Sequence, residues 1–88
     1  MAVFIIAYDL KTPGKDYADL INAIKSVPNC HAQGSVWFVE HSGSPSDIRD
    51  VLSRHIDSND VLFVDQVSVA WAGTHMPVCG KWLNERGR

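Results

Sequence analysis

The chain opens on an apolar run that stops at a carboxylate: Val3, Phe4, Ile5, Ile6, Ala7 and Tyr8, then Asp9. Such a run predicts a strand over about residues 2–9, buried on both faces, with one acid at its C-terminal end. Pro13 and Gly14 then break regular structure in a loop over residues 11–15. Tyr17, Leu20, Ile21 and Ile24 fall at i, i+3, i+4 and i+7, the spacing of one helix face, and Pro28 ends that helix. A second β region covers about residues 31–41. Gly34 and Ser35 interrupt it, which predicts a bend or tight hairpin. Beyond that point Val36, Phe38 and Glu40 face one side, and Trp37, Val39 and His41 the other.

Ser44-Pro45-Ser46-Asp47 is a helix start. Ser44 suits the cap, Pro45 the first helical position, and Asp47 the positive end of the helix dipole. Ile48, Val51, Leu52 and Ile56 continue as its apolar stripe. Residues 57–60, Asp-Ser-Asn-Asp, form a polar turn, and residues 61–69 an apolar strand containing Asp65 and Gln66. The remainder carries Trp71, Gly73, Met76 and Trp82 and predicts a short helix over Pro77–Glu85. The order β, α, split β, α, β is economically an α+β sandwich of ferredoxin-like βαββαβ topology, with both amphipathic helices on one face of the sheet. It is one domain over residues 1–88. The core covers 2–69, and 70–88 form an appendage whose tryptophans cover the sheet or a subunit interface.

Composition narrows the function classes. The chain has 88 residues, 45% of them apolar, and a formal charge of −2. That excludes disorder and gives no electrostatic footprint for a long phosphate backbone. The first apolar run is too short to span a bilayer and has no basic leader region, so a cytoplasmic protein with no membrane partner is expected. Cys30 and Cys79 are far apart in sequence, and free thiols in a reducing compartment are expected. The four histidines lack the short spacing of a zinc site. Arg49, Arg54, Lys11 and Lys15 either form a small basic strip for a phosphate or are solvated faces paired with Asp47 and Asp50.

Two blocks carry a resemblance. Strand 1 ends in Tyr8-Asp9-Leu10, and Ala32-Gln33-Gly34-Ser35-Val36-Trp37 follows at a fitting distance. Together they resemble the signatures of CRISPR-associated protein 2, the small adaptation subunit, and of the related virulence-associated protein D ribonucleases. The resemblance covers roughly residues 2–69. It implies a homodimer in which Asp9 of two subunits face each other across the axis. In some members such a pair is linked to Mg²⁺-dependent nuclease activity; in others the protein is a structural adaptor. Three departures stand beside it: no arginine run leads into the first helix, a tryptophan-bearing segment replaces the family's last strand, and the net charge is negative.

The candidate chemistry follows from these readings. Two Asp9 carboxylates with water suit Mg²⁺, which keeps much of its hydration and can polarise a phosphate. Alternatively, Asp9 only accepts backbone N–H groups in the following turn. Ser35 is a candidate hydrogen-bond donor at that site, or relieves the backbone beside Gly34. Tyr8, Gln33 and Trp37 are candidate substrate or interface residues; packing is the plainer role for Tyr8 and Trp37. Three functions compete: a metal-dependent endoribonuclease or nuclease acting on RNA or DNA, a catalytically inactive dimeric adaptor for a protein partner, and a regulatory domain that binds a nucleotide or metabolite between subunits.

Overall fold

The central strand, β1 (Ala2–Asp9), has a neighbour on each side and a layer of structure on each face. The structure, a computed structural model, describes residues 1–12 and 16–88. The expected break at Pro13 and Gly14 lies outside the described residues. The remaining elements are α1 (Ala18–Lys25), β2 (Asn29–Gln33), β3 (Val36–His41), α2 (Pro45–Ser53), β4 (Val61–Gln66) and α3 (Pro77–Glu85).

The four strands form one antiparallel sheet in the order β2-β3-β1-β4. β2 and β3 are the expected hairpin, turning at Gly34-Ser35, with a register irregularity between His31 and Gln33. The hairpin places β3 against β1 with Ala7 opposite Val36 and Ile6 opposite Trp37, while β4 pairs with β1 so that Asp9 lies opposite Val61.

Strand alternation divides the apolar side chains between two cores. On one face Phe4, Ile6, Trp37 and Val39 pack under α1 and α2, which contribute Leu20, Ile24, Ile48 and Leu52. On the other face Val3, Phe38 and Cys30 pack under α3, which contributes Cys79 and Leu83. The appended helix is therefore a second cover, and it explains why consecutive residues of β1, Val3 and Phe4, are both buried.

The helix ends follow local chemistry. Ser44 and Asp47 make a reciprocal capping box: Ser44 Oγ accepts from the Asp47 N–H, and Asp47 Oδ2 accepts from the Ser44 N–H. Asp16 Oδ1 accepts the Ala18 N–H at the start of α1, and Lys25 lies in the last turn of that helix, at the negative end of its dipole.

Several expectations need correction. β4 ends at Gln66, short of residue 69, and the Val67 N–H still donates to the Val3 carbonyl, one step further along the same register. Val51 is exposed; only Ile48 and Leu52 of that stripe are buried on α2, and Ile56 packs against the core from beyond the helix end. The cysteines are not free: Cys30 on β2 and Cys79 on α3 form a disulfide, with Cα atoms 5.8 Å apart. Distance in sequence does not separate them, because α3 folds back over β2. Among the described residues no helix is long and apolar enough to cross a membrane.

Candidate functional site at the end of β1

The C-terminal end of β1 and the β2–β3 turn meet at one end of the sheet. The Tyr8 N–H donates to the Ser35 carbonyl at 3.1 Å, so the two sequence blocks lie side by side. The pleat then separates their side chains. Asp9 continues the row of Val3, Ile5 and Ala7 on the α3 face, beyond the part α3 covers; its side chain is 70% exposed and pairs with Lys11 Nζ at 3.5 Å. Tyr8 points to the α1/α2 face, where its hydroxyl accepts from Trp37 Nε1 at 3.1 Å.

Trp37 is 3% exposed, so its indole packs inside rather than offering a face to a base. His31 stacks on it with ring centroids 3.9 Å apart and planes at 4°. Ser35 is exposed in the turn. Its carbonyl holds Tyr8, which is the backbone role open to it from its place beside Gly34. Gln33 joins Ile5, Val36, Phe38, Trp71 and Met76 around an open groove of about 420 Å³ between the sheet and the chain leading into α3. Of the candidate residues, Asp9 and Gln33 therefore reach the α3 face, Ser35 sits on the turn, and Tyr8 and Trp37 belong to the opposite core.

Beside Asp9, Val61 and Phe63 on the edge strand are exposed large apolar residues. By register they alternate onto the α3 face with Asp9 and Ala7. The open end of this face is thus an acid bordered by apolar surface.

Charge pairing accounts for two of the four residues of the basic strip. Arg49 binds Asp50 at 2.9 Å and Lys11 binds Asp9; Lys15 lies outside the described residues. Among the described residues no group of three His, Cys, Asp or Glu side chains is placed to hold a metal ion within one chain.

The polar turn before β4 does more than its sequence announced. Asp60 Oδ1 accepts the Lys11 N–H at 2.7 Å, while Oδ2 accepts the Tyr17 hydroxyl at 2.9 Å and the Asp57 N–H at 2.8 Å. Thr12 Oγ1 donates to Asp57 Oδ2 at 2.7 Å. The turn therefore latches the chain that leaves Asp9 and the chain that enters α1. The turn itself is legible from its Asp and Asn residues; the long-range partners of Asp60 are not.

No family model matches the chain. Among solved structures the chain is similar to the crystal structure of a hypothetical protein from Thermus thermophilus, with 25% sequence identity over 83% of this chain and 92% of that one and a TM-score of 0.63. That likeness extends over most of both chains and places this one among small α+β proteins built on a four-stranded antiparallel sheet.

Proposed function

We propose that the chain is a ferredoxin-like homodimer of the superfamily it resembles, joined through the open end of the sheet face around Asp9. In that dimer the two Asp9 carboxylates hold a hydrated Mg²⁺ and support hydrolysis of RNA phosphodiesters. The observation that carries this reading is the position of Asp9: an exposed carboxylate on the uncovered part of a sheet face, bordered by exposed Val61 and Phe63. Burying that apolar border against a second copy would bring two acids together, a donor set that suits Mg²⁺ with its waters. The ion would supply charge for the phosphate and an activated water. The chain itself supplies the acid and, in Gln33 at the rim of the adjoining groove, an amide for the substrate. The strand order β2-β3-β1-β4, with both long connections helical, supports the ferredoxin-like assignment. The cytoplasm is the compartment this reading assigns.

The test is cleavage of single-stranded RNA with Mg²⁺ or Mn²⁺ by the wild type and by Asp9→Asn, with mass measured by light scattering. The reading expects a dimer whose cleavage needs the metal and is lost in Asp9→Asn. Equal cleavage by both proteins would overturn it.

A second reading has one observation in its favour. Lys11 already neutralises Asp9 at 3.5 Å. Under this reading the dimer is the function, and the molecule is an adaptor for a protein partner. It expects a dimer with no cleavage and no metal dependence.

A further inference from the structure

We infer that the Cys30–Cys79 disulfide is a redox modification site, opened by a thiol reductant that enters beside Cys79, and that its opening releases the first turn of α3 from the sheet. This goes beyond the Asp9 reading and does not depend on it.

Three observations carry the inference. The first is access. The cysteines themselves are nearly buried, at 8% and 4% exposure. Yet an open cleft of about 210 Å³ reaches Cys79, walled by His31, Ala32, His75, Met76, Pro77 and Val78. A small thiol has room to approach.

The second is the location of Cys79. It is the third residue of α3, within the first turn, where unpaired N–H groups and the helix dipole favour a thiolate. Thiol–disulfide exchange is faster when the departing sulfur is a stabilised thiolate, which favours the second step, in which Cys79 departs. The steps balance with a thiol as the named reductant. One thiolate attacks Cys79 Sγ, forming a mixed disulfide and releasing the Cys30 thiolate, which takes up a proton. A second thiolate attacks the reductant's own sulfur in that mixed disulfide and releases the Cys79 thiolate. Two reductant thiols are oxidised to a disulfide, and the protein gains two electrons.

The third is what the bond holds. α3 has nine residues, too few to be stable alone, and its N-cap, Met76, makes no side-chain cap bond. Immediately before the helix, His75 has a φ of 59°, in the left-handed region that costs a non-glycine residue energy. The far end of α3 has independent anchors: Leu83 is fully buried, Arg86 lies 3.8 Å from Glu40, and Arg88 Nε donates to the Val67 carbonyl. At the start, the disulfide is the covalent tie to the sheet. The core beneath α1 and α2 contains neither cysteine, so opening the bond leaves that half of the fold packed.

The experiment treats the oxidised full-length protein, without denaturant, with millimolar glutathione or dithiothreitol. It follows thiol alkylation by mass spectrometry and amide hydrogen exchange by segment. The expected result is alkylation of both cysteines, a glutathione adduct trapped on Cys79, and exchange over the first turn of α3 at least tenfold faster while β1 and β3 stay protected. Cys30→Ala should show the fast α3 exchange without reductant; if that variant does not fold, the reduced wild type decides alone. A bond that opens only in denaturant, or protection lost across β1 and β3 together with α3, would overturn the inference.

Discussion

The hydroxyl of Tyr17 donates to Asp60 Oδ2 at 2.9 Å across 43 residues of sequence. The same carboxylate takes the Lys11 and Asp57 N–H groups. One side chain thus joins the exit of β1, the entry of α1 and the turn before β4. Removing it breaks these three hydrogen bonds, two of them part-buried, each netting about 0.5–1.5 kcal/mol. Asp60→Ala is expected to lower unfolding free energy by about 2–3 kcal/mol and Tyr17→Phe by about 1 kcal/mol. Urea denaturation measures both, and a loss below about 0.5 kcal/mol for Asp60→Ala, the level of an ordinary surface change, would show the latch to be incidental.

The end of β1 separates candidate function from stability. Asp9 is largely exposed and its ion pair with Lys11 is a surface pair, so Asp9→Asn should change stability by no more than about 0.5 kcal/mol. A thermal melt of the variant checks this. A much larger loss would mean that Asp9 supports the fold, and a loss of RNA cleavage in that variant would then say nothing about chemistry.

Tyr8 and Trp37 form a polar contact inside an apolar core, with Trp37 Nε1 donating to the Tyr8 hydroxyl. Tyr8→Phe leaves that indole N–H unpaired and should cost about 1–2 kcal/mol. Trp37→Ala removes the whole ring from beneath the helices and should cost about 3–5 kcal/mol. Chemical denaturation followed by circular dichroism reads both without relying on the indole signal. Equal losses for the two variants would contradict this division between hydrogen bond and packing.

The cap of α2 carries a pH dependence. The backbone N–H of Ser44, then its hydroxyl and more weakly the nearby His41, hold the Asp47 carboxyl below its ordinary value of 3.8. The folded state therefore binds that proton less readily than the unfolded chain does. The resulting stabilisation is present above the unfolded value and is lost as pH falls through the folded one. Asp47→Asn should flatten the decline in stability below about pH 4, seen as a smaller drop in melting temperature between neutral and acidic buffer. Ser44→Ala, which removes the cap hydroxyl, should cost about 1 kcal/mol at neutral pH.

Much of this architecture is local and was therefore legible. The apolar run 2–9 is β1 to the residue, the proline-led helix Pro77–Glu85 is α3, and Ser44-Pro45-Ser46-Asp47 is a capping box. Each depends on periodicity, a breaker or a bond within a few residues, and all of these are present in the unfolded order of the chain. The hairpin at Gly34-Ser35 is of the same kind.

The candidate site was legible only in part. The sequence placed Asp9 at a strand end, and placed the Gln33–Trp37 block where a hairpin would return beside it. Strand alternation already sends Asp9 and Tyr8 to opposite faces; what the sequence could not say is which neighbours each meets there, solvent beside Val61 and Phe63 for one and Trp37 for the other. Nor did it join Cys30 to Cys79, which stand 49 residues apart. The hydrophobic pattern determined which segments are strands and helices and which of their faces must be buried. Which distant partners meet, the two cysteines and the Asp60 carboxylate with its donors, was decided only when α3 folded back over the sheet and the turn before β4 met the end of β1. Pairings of that kind depend on chain crossings in space, and local sequence holds no record of them.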